Sequence, residues 1–281
     1  MVLSAGHEKE LITGRNFLPT RKVLDFSITA LRFDEQVQTI INWAKTRESK
    51  TVCVANVHML MEAYWSLDFA NVLRSADLVT PDGMPLVWMM RRMGAHYQDR
   101  VAGMDILLAL CELAQTQNIS ILFLGSQSEI LSKMRKKLDK EFPQLKIAGM
   151  EPLPFSPLNE TEDEALMKKI NSSGAGIVLI SLGCPKQEIW MAQHKSKIQA
   201  VMIGVGGVFP VYAGIRKRAP RIMRDLGLEW LYRWIQEPRR LLVRYTKTIP
   251  LFIWLAAKQL LSSSGSDEVN RSVVGIRKSG I

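Results

Sequence analysis

Three runs that are apolar almost throughout constrain this 281-residue chain more than any other feature. They are Ile119-Ser120-Ile121-Leu122-Phe123-Leu124, Ile177-Val178-Leu179-Ile180-Ser181-Leu182 and Ala200-Val201-Met202-Ile203-Gly204-Val205. A strand with one wet face alternates polar and apolar residues; runs that do not alternate suit parallel strands covered on both faces. Shorter segments of the same kind, Thr51–Ala55, Leu78–Thr80 and Lys146–Met150, precede them, and a strand is expected around Val23–Phe26. Between them lie helical stretches at Asp34–Thr46, His58–Arg74 with a break near Ser66, Met84–Met93, Gly103–Gln117, Glu129–Phe142 and Thr161–Ser172. Strands alternating with helices of this length predict an α/β fold with a Rossmann-like, mostly parallel sheet flanked by helices.

After Ala219 the pattern turns to helix alone, dense in Arg and Trp. Residues 216–258 hold eleven Lys/Arg against three acids, so this segment carries +8 of the chain's net +10. The expected organisation is a flexible leader at 1–22, a catalytic domain at 23–215, a basic helical appendage at 216–258 and a disordered tail at 259–281. Arg residues interleaved with Trp230, Trp234, Tyr245 and Trp254 suit the interface of an anionic membrane or a nucleic acid. The apolar residues Ile249, Leu251, Phe252 and Leu255 favour the membrane, and no nucleic-acid partner is expected. The longest apolar run there, Ile249–Ala257, covers nine residues and contains Pro250, far short of the ~20 that a spanning helix needs. No signal peptide is evident, and three scattered cysteines (Cys53, Cys111, Cys184) form no disulfide framework, so a cytoplasmic compartment is expected.

In an open parallel sheet, ligands bind beyond the carboxyl ends of the strands. The residues ending the apolar runs are therefore the candidates: Asn56 and His58, Asp82, Gly125-Ser126, Gly183 to Gln187, and Gly204-Val205-Gly206-Gly207. Asp82, between Pro81 and Gly83, can act as a base on a substrate hydroxyl, or it can simply cap the helix that follows. Gly204, Gly206 and Gly207 can bring backbone amides near a phosphate or form a tight turn. Phe209 stands where a dinucleotide fingerprint needs its third glycine, which disfavours a nicotinamide enzyme. His58 can be structural, Arg100 can bind an anion or face solvent, and Gln187 can hydrogen-bond a sugar. No His/Cys/Asp cluster has metal-ligand spacing, and no cofactor is implied.

The ordered motifs Asn56-Val57-His58, Ala76 to Pro85 (with Thr80-Pro81-Asp82-Gly83), Arg100 to Asp105, Leu182 to Glu188, Gly204 to Phe209, Arg218-Ala219-Pro220 and Gly227 to Arg233 resemble the WecG/TagA/CpsF family of bacterial glycosyltransferases. The resemblance covers about Val23 to Tyr245. It implies an inverting, metal-independent transfer from a UDP-sugar to a polyprenyl-diphosphate-linked saccharide, at the cytoplasmic membrane face, in cell-surface polysaccharide synthesis. It further implies peripheral attachment, homo-oligomer formation in many members, and an appendage that completes the site. By motif position Asp82 becomes the catalytic base, and Arg100 and Gln187 become substrate contacts. Arg233, Arg240 and Arg244 become the diphosphate ligands. Two positions depart from the family pattern: Val54, where members often carry Thr, and Pro210, where many carry Asp. Both bear on the identity of the sugar. The rival reading is a non-catalytic nucleotide- or nucleic-acid-binding protein with a basic arm.

Overall fold

A computed structural model describes residues 18–153 and 158–276, with side chains through Ser262. The expected leader falls mostly outside the described residues, as do the loop at 154–157 and the last residues of the tail. The chain runs β1 (Thr20–Val23), β2 (Phe26–Thr29), α1 (Phe33–Lys45), β3 (Lys50–Ala55), α2 (Val57–Trp65), α3 (Leu67–Ser75), β4 (Leu78–Pro81) and α4 (Met84–Arg92). It continues through α5 (Gly103–Thr116), β5 (Ser120–Gly125), α6 (Ser128–Glu141), β6 (Lys146–Glu151), α7 (Glu160–Ser172), β7 (Ile177–Ser181), α8 (Lys186–His194) and β8 (Val201–Gly204). The C-terminal part is helical: α9 (Val208–Tyr212), α10 (Arg221–Asp225), α11 (Glu229–Gln236) and α12 (Pro238–Ile276).

Six strands form one parallel sheet in the order β4-β3-β8-β7-β5-β6. The continuous apolar runs are explained by what covers each face. Leu122, Leu124, Val178, Ile180 and Met202 point to a core shared with Met59 and Leu60 of α2, Leu86 and Met90 of α4, and Met191 of α8. Their neighbours Ile121, Phe123, Ile177, Leu179 and Ile203 point to the opposite core with Ile40 of α1, Ile106 and Leu110 of α5, and Met134 of α6. Alternate residues thus leave the strand in opposite directions, and both directions are dry. Each such side chain contributes about 1.5–3 kcal/mol of burial.

Two details differ from the sequence reading. The strand expected at Val23–Phe26 is a hairpin instead: Leu24 and Asp25 form a two-residue turn at φ 49° and 66° between the antiparallel β1 and β2. Two consecutive left-handed residues match the twist of a tight hairpin, and no Gly or Asn marks the spot. The helix at the far end also continues past Lys258 to Ile276, through residues assigned to a disordered tail. Specific contacts hold the turn at Gln259. The Gln259 side chain accepts from the Leu24 amide at 2.9 Å and donates to the Lys22 carbonyl at 2.8 Å. Phe252 and Ala256 of α12 belong to the core beside α2 and α4, so the appendage is packed onto those helices rather than tethered to the domain. No helix among the described residues is long and apolar enough to cross a membrane.

Candidate active site

Because all six strands point the same way, their carboxyl ends meet along one edge of the sheet. A cavity of about 930 Å³ opens there, roofed by α11 and the first turns of α12. Asn56, His58, Asp82, Arg100, Gln187, Gly204, Gly206, Gly207, Arg233, Arg240 and Arg244 all line it, whereas the strand-end candidates Gly125 and Pro185 do not.

Asp82 directly follows β4, and its amide donates to the Ala55 carbonyl of β3 at 2.8 Å. The helix cap is Gly83, with no side-chain capping bond, and Pro85 sits in the first turn of α4. The capping alternative for Asp82 is therefore not what the local geometry uses, and its carboxylate is left facing the cavity. Burial pushes its pKa up to about 6, Glu229 adds to the rise, and Arg100 and Arg233 oppose it. Such a group is ionised at neutral pH by about ten to one, yet is a stronger base than an ordinary aspartate.

The other strand ends divide between structural and open groups. Asn56 caps α2, its oxygen accepting from the Met59 amide at 3.2 Å. His58 stands one position into α2, its Nδ1 3.5 Å from the Glu62 carboxylate. Burial first, then Arg244 and Arg240, pushes its pKa down to about 4, so the ring is neutral at pH 7. Gln187 is buried, and its carbonyl oxygen already accepts from the Gly206 amide at 3.0 Å and the Gly183 amide at 3.2 Å. A Cβ at Gly204 would come within 2.8 Å of the Gln187 nitrogen, which is why the strand must end in glycine there.

The cations fall into two sets. Arg100 donates to Glu229 at 2.9 Å, Arg216 pairs with Glu237 at 2.8 Å, and Arg218 pairs with Asp105. Arg240 also pairs with Glu237. By contrast Arg233 and Arg244 form no ion pair with a carboxylate among the described residues. Arg233 lies over the glycine turn, where a Cβ at Gly207 would meet its guanidinium at 3.4 Å. Burial, with Arg240 beside it, pushes the Arg244 pKa down, as expected of a cation lacking a counter-ion. Charges left uncompensated in a partly buried cavity are a place for an anion to bind.

Three residues of the site carried no role in the sequence reading. Glu229 of α11 is the partner of Arg100. Ser181, the polar end of an apolar run, donates to the Gly206 carbonyl at 2.6 Å. Glu188 is fully buried behind Gln187 and accepts from its nitrogen at 2.7 Å. For Ser181 the signal was present, since it breaks an aliphatic run at its carboxyl end. Nothing local marks Glu188 or Glu229 as anything but helix-surface acids.

A profile of the glycosyl transferase WecG/TagA/CpsF family matches residues 21–266. The chain belongs to that family. It is similar to an N-acetylglucosaminyldiphosphoundecaprenol N-acetyl-beta-D-mannosaminyltransferase of Bacillus spizizenii (strain ATCC 23059 / NRRL B-14472 / W23). The two are 30% identical over 214 residues, which cover 76% of this chain and 80% of the relative. The matched region takes in the whole parallel sheet and the arginine-bearing helices of this glycosyltransferase. Val54 and Pro210, its two departures from the common family pattern, both line the cavity.

Proposed function

We propose that this glycosyltransferase moves a sugar from a UDP-sugar to a polyprenyl-diphosphate-linked saccharide, with inversion and without a metal, at the cytoplasmic membrane face. One observation carries the reading: a poised carboxylate, Asp82, shares a single cavity with Arg233 and Arg244, two cations that form no ion pair with a carboxylate among the described residues. Asp82 accepts the proton of the acceptor hydroxyl as its oxygen attacks the anomeric carbon. The bond to UDP breaks, and negative charge grows on the leaving diphosphate. Fixed guanidinium groups stabilise that charge where it develops. Holding acceptor and donor against one base replaces an encounter in solution with an oriented collision.

The relative's name supports the acceptor class, since that enzyme acts on an undecaprenyl-diphosphate-linked N-acetylglucosamine. The appendage supports the location. Ile222 is 74% exposed and Ile235 65% exposed, and they share α10–α11 with Arg221, Arg224 and Arg233. Apolar side chains left in water beside arginines fit a helix lying in an anionic lipid interface.

The test is a UDP-release screen over a panel of UDP-sugars with a short-chain lipid-diphosphate acceptor. Release that requires both the acceptor and Asp82 is expected for at least one donor. No release from any donor, or undiminished release by Asp82→Asn, refutes the proposal.

A further inference from the structure

Glu188 is a carboxylate that the reaction above does not use. It is 1% exposed, and burial pushes its pKa up to about 7. No cation forms an ion pair with it among the described residues, and its Oε2 has no hydrogen-bond partner. Burying an acid in this way costs stability, and an apolar residue of similar size would serve the core better. The carboxylate therefore needs a reason to be there. Besides its own backbone and the Cys184 thiol, which also hydrogen-bond the carboxylate, one side-chain contact supplies it: Oε1 accepts from the Gln187 amide nitrogen at 2.7 Å.

That contact decides which way round the Gln187 amide sits. A primary amide has a donor end and an acceptor end of nearly the same shape. An acceptor at Glu188 holds the nitrogen inward, which turns the oxygen toward two backbone N–H groups, those of Gly183 and Gly206. Those glycines follow β7 and β8, and both line the cavity. Gly206 is fixed from its other side as well, by Ser181 on its carbonyl. Were the amide reversed, its NH₂ would face two N–H donors and both glycine loops would lose their tie.

We infer that Glu188 is a positioning residue for transfer: it orients Gln187, which clamps the Gly183 and Gly206 loops into one rigid wall of the site. Gln187 is then a latch as well as a cavity residue. The wall matters for catalysis because a loop displaced by an ångström misplaces whatever it binds.

The inference rests on the donor reading for its kinetic arm only, and a swapped pair tests it. Gln187→Glu alone sets two buried carboxylates against each other and should cut kcat/KM about 100-fold. Adding Glu188→Gln restores a donor between them, while the carboxylate at 187 still accepts from both glycine amides. The double variant should recover to within roughly ten-fold of the parent, and Glu188→Gln alone, which keeps an acceptor oxygen, should stay within about three-fold. Glu188→Leu should raise the KM for the UDP-sugar and weaken binding of UDP itself. Hydrogen exchange at the Gly183 and Gly206 amides reads the latch without substrate: protected in the parent and the double variant, faster in Glu188→Leu. A double variant no better than Gln187→Glu, or unchanged protection in Glu188→Leu, overturns the inference. A parent that releases no UDP sinks the donor reading and leaves the exchange result to decide this one.

Discussion

Arg100 and Glu229 lie 129 positions apart in sequence and meet at 2.9 Å across the mouth of the cavity. Arg100 belongs to the loop before α5, whereas Glu229 opens α11, so this pair binds the appendage to the sheet edge. Both also act on Asp82, in opposite senses: Glu229 raises its pKa and Arg100 lowers it. If Asp82 is the base, kcat/KM should rise with pH and level off above about 6. Glu229→Gln should move that limb to lower pH, and Arg100→Gln should move it to higher pH. A pH profile for each variant checks the pair, and shifts in the same direction would contradict the assignment.

Asp82→Asn separates catalysis from folding. Loss of the base should lower turnover about 100- to 10,000-fold. The effect on stability runs the other way. Because the folded pKa of Asp82 lies above that of an unfolded aspartate, its ionised form opposes folding at neutral pH. This group adds stability as pH falls through the window from about 6 to 4, where it becomes protonated. The variant should therefore be more stable than the parent at pH 7.5, by on the order of 1 kcal/mol after allowing for partial exposure, and no more stable at pH 4. Thermal melts at the two pH values measure it.

The three appendage arginines should not be equivalent. Arg233→Ala and Arg244→Ala remove cations without carboxylate partners and should raise the KM for a lipid-diphosphate acceptor by about 10- to 100-fold. Arg240→Ala removes one that is already paired with Glu237, and its effect should be several-fold smaller. Initial rates against acceptor concentration, at low and moderate salt, rank the three.

Val54→Thr puts a hydroxyl at a cavity position in place of a methyl group. Changing the polar complement of a sugar site alters discrimination more than overall binding. The ratio of turnover between two UDP-sugars should change by about ten-fold, while affinity for UDP stays within about two-fold. A competition assay with paired donors reads this ratio directly.

The parallel sheet was legible because a strand covered on both faces leaves a continuous apolar run: β7 and β8 fall within the runs from which they were expected, and β5 overruns its own by one residue, Gly125. Strand ends were legible for the same reason: an aliphatic run that stops at Asn56, Asp82 or Gly204 marks the edge. Strand order was not, since no local pattern tells β3 to lie between β4 and β8. The hairpin at Leu24-Asp25 was missed because Leu24 gives no sign of a left-handed turn and Asp25, though tolerant of one, has no glycine beside it. Long-range pairs escaped altogether. Arg100 with Glu229, and Gln259 with the backbone of Lys22 and Leu24, depend on how distant segments pack, and spacing along the chain is silent about that. The same holds for Phe252, which reads as a lipid-facing residue in sequence and is buried in the core shared with α2 and α4 in the structure.

The Gln259 contact gives the fold a closed circuit. Gln259, in the middle of α12, holds the first hairpin, and Thr29 of that hairpin accepts from the Val79 amide in β4 at 3.1 Å. Three residues further along sits Asp82. Peeling α12 away from the body at Gln259 would thus release the hairpin that braces the strand leading to the proposed base. The Gln259 turn of that helix and the Asp82 carboxylate are thus joined by one chain of contacts, so loosening the first should loosen the second.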